Sequence, residues 1–296
     1  MKLSAEAAPA PKRADIPARE EAAVTTGADE PVVRLLDEEW DAIVSLGRTL
    51  ELPEWDLPTE CPGWTVRDTL SHLIGTERSL LGDPGPARPE EMPDHVHNEV
   101  GARNEAWVQA RRSTPVDALL EEFNEVTTRR LEALRSWPTV RFDQLGPSPV
   151  GEVPYREFMR VRVMDCWVHE QDMRMATGRP GHDTGEAATL SLERIASAMP
   201  FVVGKKAGAP EGSSVRFELG GGWRKHIDIV VRQGRAVAAD GLDHEPSATL
   251  VMDAATFWRL GCGRVTGEAA CAAGLVELRG DDKLASSVVT GMAFMI

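Results

Sequence analysis

Apolar residues recur with a helical period along most of the first 180 positions. The first such segment, residues 33–50, has its apolar side chains on one face and predicts an amphipathic helix. A second helix is expected to begin at Thr65, a good N-cap residue, because Asp68 follows three positions later near the positive end of the helix dipole. Two further helices are predicted at residues 97–112 and 116–137.

The longest uninterrupted helical segment covers residues 155–176. It contains no Pro or Gly, Pro154 suits a first helical position, and Gly178 and Pro180 would end the helix. Together these segments predict an antiparallel bundle of about four long helices. Proline-rich stretches between them predict three loops, at residues 53–61, 82–93 and 138–153.

The pattern changes near Gly181. Short segments with period-two polarity then predict strands, and Gln233-Gly234 marks a hairpin turn between two of them. This part is expected to form a small α+β domain. Its predicted helices are residues 183–199, 254–262 and 282–291, and its predicted strands are residues 214–219, 227–231, 236–239, 248–252 and 274–279. We therefore divide the chain into a disordered tail (1–29), a helical domain (30–181) and an α+β domain (182–296).

Composition narrows the possible functions. The 296 residues include 47 acidic and 33 basic side chains, and the formal charge of −14 argues against binding to nucleic acid or to anionic membrane surfaces. No apolar run approaches the roughly 18 residues of a membrane span, and the first 29 residues have no apolar core of a secretory signal. The four cysteines have no CxxC spacing and are expected to be reduced and buried, as in a cytoplasmic protein.

Potential chemistry concentrates in the helix at 155–176. Asp165, His169 and Asp172 are spaced four and three residues apart, so they share one helical face. A chain with this many acids and seven histidines is expected to contain about one acid four residues before a histidine by chance. Spacing alone therefore leaves both a metal half-site and a buried ion pair open. His72 lies among apolar residues of the second helix, and it is expected either to join that face or to be a satisfied core histidine.

Three sequence blocks carry a family resemblance. The segment Cys61 to Leu73, the block Arg162 to Arg174 with the following Gly178 to Gly181, and the C-terminal pattern at residues 254–260 and 274–281 supply it. They resemble the DinB-like, mycothiol-dependent maleylpyruvate isomerase family over about residues 30–290. The resemblance implies a DinB-like four-helix bundle followed by a small α+β domain similar to sterol-carrier-protein modules.

The same resemblance implies the site. It places a divalent metal, usually zinc, on His72, His169 and the acid four residues before it, which is glutamate in the family's isomerases and Asp165 here. The shorter acid allows direct ligation, ligation through water, or a role behind the ligands. Asp172 is a candidate hydrogen-bond partner of an imidazole, or else it is a solvated charge or pairs with Arg174 or Arg179. Trp64 and Trp167 are candidates for lining the pocket, or else for core packing.

The function implied is that of a metal-dependent enzyme that uses mycothiol to isomerise or S-conjugate a small electrophile. A metal with an open position can hold a thiol as thiolate at neutral pH, so the protein needs no nucleophilic cysteine. The alternatives are a metal-dependent hydrolase, or a metal- or thiol-binding regulatory module without turnover. The expected partners are the thiol and the electrophile, and the expected assembly is a monomer or a homodimer.

Overall fold

The computed structural model describes residues 25–89 and 91–295. Most of the predicted tail, residues 1–24, lies outside this part. Residues 25–29 lie inside it: a 3₁₀ turn spans Gly27–Asp29, and the Gly27 amide donates a 2.7 Å hydrogen bond to the Trp137 carbonyl. The packed chain therefore includes residues that the sequence pattern assigned to the tail.

Five helices form the first half of the described chain. Four are long and pack as a bundle, in which α5 lies against α1 and α2, and α4 also contacts both; the shorter α3 packs on α2. The predicted bundle of four long helices is thus confirmed, with core positions at the predicted apolar spacing. The helices are α1 (Pro31–Gly47), α2 (Val66–Leu80), α3 (Glu99–Gln109), α4 (Val116–Ser136) and α5 (Tyr155–Ala176).

The start of α2 is fixed as the sequence predicts. Thr65 is the N-cap, and its hydroxyl accepts a hydrogen bond from the Asp68 amide. In return, the Asp68 carboxylate accepts from the Thr65 amide at 3.1 Å. This reciprocal capping box sets the register of α2 and hence the face on which His72 lies.

The loop predicted at residues 138–153 is wrong in part. The structure has a 3₁₀ turn at Thr139–Asp143, followed by an antiparallel hairpin of β1 (Leu145–Ser148) and β2 (Gly151–Pro154). Prolines in this segment exclude a helix, but they do not exclude a two-stranded hairpin in which each strand has a free edge.

The second half of the described chain is an α+β unit, as predicted. Its five-stranded sheet has the order β5-β4-β3-β6-β7, in which β3 and β6 are parallel and all other neighbours antiparallel. The predicted hairpin turn is present, with Gln233 and Gly234 both at positive φ (52° and 71°), as a two-residue turn of this kind requires. The strands are β3 (Ser214–Gly220), β4 (Lys225–Arg232), β5 (Arg235–Ala239), β6 (Ala248–Asp253) and β7 (Glu277–Gly280).

The helices of this unit connect the sheet to the bundle. The first of them, α6, packs against α5 and also contacts α8. Two short elements that the sequence pattern did not predict follow α6 and α8, namely α7 with its π-helical turn and α9. The helices are α6 (Glu186–Ser197), α7 (Met199–Phe201), the π turn (Val202–Lys206), α8 (Ala254–Gly261), α9 (Gly267–Ala272) and α10 (Asp282–Thr290). Within the described residues, no helix combines the length and apolar character needed to cross a membrane.

Candidate functional site

His72 on α2 meets Asp165 and His169 on α5. His72 Nε2 lies 3.3 Å from Asp165 Oδ2, and His169 Nε2 lies 3.7 Å from Asp165 Oδ1. One donor atom from each of the three side chains lies within 4.8 Å of the other two. The structure therefore brings together the three residues that the family resemblance singles out.

Trp64 packs on both imidazoles from the loop before α2. Its ring centroid lies 5.0 Å from that of His72 and 5.8 Å from that of His169. Its indole Nε1 donates a 2.9 Å hydrogen bond to Glu105 on α3, whose side chain is buried. Trp64 thus limits the positions that the two imidazoles can take and forms part of the pocket wall, as one of its two sequence interpretations states.

Asp172 holds His169 from behind. Its Oδ2 lies 3.0 Å from His169 Nδ1, so the Nδ1 proton of a neutral imidazole points at the carboxylate and the Nε2 lone pair points towards Asp165. Asp172 pairs with neither Arg174 nor Arg179, the partners considered from sequence. Its partner is Arg264, which donates from Nε at 2.9 Å and from Nη2 at 2.7 Å. Burial acts to raise the pKa of Asp172, but Arg264 and His169 hold it below its usual value.

Asp165 is engaged by Arg162, one turn earlier on α5. The Arg162 Nη1 atom pairs with Asp165 Oδ2, while Oδ1 faces His169. Burial acts to raise the pKa of Asp165, but the Arg162 guanidinium, followed by His72 and His169, holds it well below its usual range. Asp165 is therefore a carboxylate at neutral pH.

Arg162 belongs to a buried charge network that spacing on α5 did not reveal. Glu77 on α2 accepts from Arg162 Nη2 at 2.7 Å and from Arg130 Nε at 3.1 Å. Arg130, on α4, also donates from Nη2 to the Tyr155 hydroxyl at 2.6 Å. The sequence does carry a sign of this network, because its charged residues lie at core-facing positions of their helices. Charged residues are rarely buried unless they are paired, so such positions predict buried ion pairs. The network joins α2, α4 and α5 directly behind Asp165.

His72 is neutral in this environment. Burial lowers its pKa, and the opposing attraction of Asp165 is the smaller effect. Its Nδ1 atom is buried and has no hydrogen-bond partner among the described residues. Its Nε2 atom is directed at Asp165, so one ring nitrogen of each histidine faces the same carboxylate.

A cavity of about 370 Å³ opens beside these residues. His72, Asp165 and His169 lie in its wall with Trp64, and residues of both halves of the chain complete it. His95 lies in the wall as well, with Nε2 3.1 Å from Glu105 Oε2. The His95 imidazole is thus packed and hydrogen-bonded at the pocket.

Trp167 lies elsewhere, as its alternative core interpretation allows. Its side chain is buried and packs edge-on against Trp258 of α8, with ring centroids 6.0 Å apart. Its Nε1 donates to the His182 carbonyl at 2.8 Å. Trp167 lines a second cleft, of about 380 Å³, between α5 and the α+β unit, and not the cavity beside His72.

The cysteines are all free, and two of them lie in the cavity wall, Cys61 and Cys262. Cys166 and Cys262 are buried, as predicted for all four, while Cys61 and Cys271 are half-buried. Burial raises the pKa of Cys61 and of Cys262 to about 12. Both thiols are therefore protonated at neutral pH, which makes them poor nucleophiles.

The donor set fits a divalent cation. Two imidazole nitrogens and a carboxylate oxygen are ligands that zinc and related metals accept, and three protein ligands are typical of catalytic sites with an open position. The carboxylate behind His169 is the arrangement that orients a ligating histidine and fixes its tautomer.

Comparison with known proteins agrees with this fold. Residues 36–174 match the family model described as "Mycothiol maleylpyruvate isomerase N-terminal domain", and residues 189–287 match the "MDMPI C-terminal domain". The two matches together cover most of the chain. The chain therefore belongs to the mycothiol-dependent maleylpyruvate isomerase family.

Individual relatives are more distant. The chain is 26% identical over 163 residues to "Uncharacterized protein Rv0738" of Mycobacterium tuberculosis, which covers 55% of this chain and 74% of that protein. The crystal structure of the mycothiol-dependent maleylpyruvate isomerase is similar with a TM-score of 0.53 at 19% identity, covering 81% of this chain and 92% of that one. A mutant of that isomerase gives a TM-score of 0.52 at 19% identity, with 86% and 95% covered. At such identity, these structures show a shared fold.

Proposed function

We propose that the protein is a mycothiol-dependent isomerase whose active site is a metal centre formed by His72, Asp165 and His169. The metal is a divalent cation, with zinc as the first choice. The substrate is a small electrophile whose double bond is activated by a neighbouring carbonyl. Family membership supports the thiol-dependent isomerisation, and the side chains of this chain support the metal.

The convergence of three ligand-type atoms on the wall of one cavity carries the proposal. His72 Nε2 and His169 Nε2 face the two oxygens of the same Asp165 carboxylate. A purely structural ion pair does not account for this arrangement, because Asp165 would need only one histidine as its partner. In addition, burial lowers the pKa of His72, so His72 is not the positive partner of such a pair. A cation held by these groups would account for why both imidazoles are turned towards one carboxylate.

A bound divalent cation would supply a Lewis acid that lowers the pKa of a thiol in the cavity. The chain's own residues prepare that position. Arg162 engages Asp165 Oδ2 and leaves Oδ1, on the His169 side, as the oxygen available to a cation. Asp172 keeps the His169 Nδ1 proton in place, so the Nε2 lone pair stays directed at the cavity.

The isomerisation needs no net gain or loss of atoms. The thiolate sulfur forms a bond to one carbon of the activated double bond, and the displaced electron pair moves towards the carbonyl. The resulting single bond rotates, the carbon–sulfur bond breaks, and the double bond returns with the thiolate released. Trp64 and the protonated thiols of Cys61 and Cys262 border this space without offering a competing nucleophile.

To test the proposal, metal content and isomerase turnover are measured on the same preparations of the wild type and its variants. We expect the wild type to contain about one equivalent of zinc more than a His72→Ala, His169→Ala double variant, measured by elemental analysis. Isomerisation of a cis α,β-unsaturated keto acid should require both the metal and mycothiol. His226→Ala is the matched control, because His226 is an exposed residue of β4 and does not line the cavity beside His72.

Other outcomes identify the alternatives. Turnover that persists without any thiol would indicate a metal-dependent hydrolase. Stable binding of mycothiol without turnover would indicate a regulatory module. Irreversible consumption of mycothiol together with the electrophile would indicate S-conjugation. A wild type that refuses added zinc would contradict the metal centre itself.

A further inference from the structure

A second cluster of ligand-type side chains lies on another side of α5. Glu39 of α1, Glu170 of α5 and His182 of the segment between α5 and α6 each place one donor atom within 4.8 Å of the other two. His182 Nδ1 lies 2.6 Å from Glu170 Oε2 and 3.8 Å from Glu39 Oε2. Glu170 follows His169 in sequence and is therefore rotated by about 100° around the helix, away from the first centre.

Glu39 is the unexplained member of this cluster. Its side chain is 0% exposed, and neither carboxylate oxygen has a hydrogen-bond partner among the described residues. A buried carboxylate without a donor is strongly unfavourable, and buried polar groups in native proteins are nearly always satisfied. Burial and the neighbouring Glu170 carboxylate raise the pKa of Glu39 well above its usual value.

Arg174 does not supply the hydrogen-bond partner that Glu39 lacks. It donates to Glu170 Oε1 from Nε at 2.8 Å and lies within 2.7 Å of the same oxygen with Nη2. Glu170 Oε2 is thereby left facing His182 and Glu39. The Glu39 and Glu170 side chains are both fully buried, whereas the His182 side chain is partly exposed.

His182 is held in place for this contact. Its backbone is in the left-handed region, with φ at 54°, which is uncommon for a residue other than glycine. The His182 carbonyl accepts hydrogen bonds from Trp167 Nε1 at 2.8 Å and from Gln171 Nε2 at 3.3 Å. Two side chains of α5 therefore fix the backbone whose imidazole reaches Glu170.

We propose that Glu39, Glu170 and His182 form a second divalent-cation site, which clamps the segment between α5 and α6 to helices α1 and α5. Two carboxylate oxygens and an imidazole nitrogen form a ligand set that zinc and manganese accept. The cation supplies the partner that Glu39 lacks. Because His182 lies on the connection to the α+β unit, the ion acts as a structural brace, separate from the chemistry at His72 and His169.

The test measures how many zinc ions bind to a variant in which the candidate metal centre at His72 and His169 has been removed. The His72→Ala, His169→Ala variant, stripped with chelator, is titrated with zinc by calorimetry and analysed for metal after dialysis. We expect one equivalent to remain, and we expect Glu39→Gln or His182→Gln in that background to remove it. Glu38→Gln is the matched control, since Glu38 is the neighbouring, exposed residue of α1 and pairs with Arg34.

Stability provides a second readout. Zinc should raise the melting temperature of the double variant and of its Glu38→Gln derivative, but not that of its Glu39→Gln derivative. Glu39→Gln keeps the side-chain shape and removes a buried charge, so we expect it to fold. Equal zinc stoichiometry with and without Glu39 would overturn the site, as would a double variant that binds no zinc. In the second case, a proton shared by Glu39 and Glu170 is what satisfies the buried pair. Either result leaves the first centre to be judged on the wild type.

Discussion

Arg264 of the α+β unit forms a two-point ion pair with Asp172 of the bundle, and the same carboxylate contacts His169. The Arg264 Nε atom lies 2.9 Å from Oδ1 and Nη2 lies 2.7 Å from Oδ2, while His169 Nδ1 lies 3.0 Å from Oδ2. The orientation of a candidate ligand on α5 thus depends on an arginine about ninety positions later in the chain. The second half of the chain therefore contributes a residue that positions the candidate site.

This relationship predicts that Arg264→Gln weakens zinc binding at the first centre, because Asp172 then loses the arginine that holds it against His169. Loss of the partner of a ligating histidine typically weakens binding by about 10- to 100-fold, and this is the upper bound for Arg264→Gln. Titration with a competing chelator measures the change. The control is Arg259→Gln, which removes another pair between the two halves, to Glu60, without touching His169. Equal losses in both variants would mean that Arg264 acts only on the packing of the two halves.

The buried charge network behind Asp165 predicts a large loss of stability on Arg130→Met. Arg130 and Glu77 are both almost fully buried, and removing one partner leaves the other charge without full compensation. We expect the free energy of unfolding of the bundle to fall by about 3–5 kcal/mol. Urea denaturation followed by helical circular dichroism measures it.

Arg129→Met is the matched control for that experiment. Arg129 is the neighbouring residue of α4, is largely exposed, and lies 3.9 Å from Asp83. Its replacement should change the free energy of unfolding by no more than about 0.5 kcal/mol. A similarly small effect at Arg130 would show that Glu77 and Arg162 satisfy each other without it.

Glu122 predicts a specific acid sensitivity. Its carboxylate accepts from Arg111 at 3.0 and 2.7 Å and from Arg78 at 2.7 Å. Burial acts to raise the pKa of Glu122, but these hydrogen bonds and charges hold it below its usual value. A carboxyl whose pKa is lower in the folded chain stabilises the fold above pH 4.5, and this contribution is lost as the pH falls through the folded value.

We therefore expect Glu122→Gln to lower the melting temperature at neutral pH and to reduce its decline below about pH 4.5. Glu121→Gln is the control, since Glu121 is the exposed neighbour on α4. Melting temperatures at several pH values between neutral and strongly acidic test both. If the melting temperatures of the wild type and of Glu122→Gln fell in parallel with pH, Glu122 would not be the source of the acid sensitivity.

Gly75 allows the close contact between α2 and α3. A Cβ atom at this position would lie 2.3 Å from Cγ and 2.4 Å from Cβ of Trp107. Alanine is favoured over glycine in a helix by about 1 kcal/mol, but overpacking of this kind costs about 1–3 kcal/mol. Gly75→Ala should therefore lower stability on balance, measured by thermal unfolding. Gly146→Ala, where a Cβ would meet no atom within 4 Å, should not. Stabilisation by Gly75→Ala would show that α3 moves freely on α2.

The sequence by itself determined the local elements and the spacing of the candidate ligands on α5. Helical periodicity and caps located the four long helices, the Thr65 box set the register of α2, and the four-residue step from Asp165 to His169 placed both on one face of α5. These features depend on neighbours within one or two turns, so they can be read directly from the chain. The hairpin at residues 145–154 was missed because a two-stranded ribbon rich in Pro and Gly has no distinctive polar period.

Only the tertiary structure decided which groups from other elements lie beside the charged residues of α5. Arg264 reaches Asp172 from the other half of the chain, Glu77 reaches Arg162 from α2, and His182 joins Glu39 and Glu170 across two helices. Each charged residue had many equally suitable partners in a chain with 80 acidic and basic side chains. The choice among them was made by helix packing and domain docking, which bury some charges beside one another and leave their sequence neighbours in water.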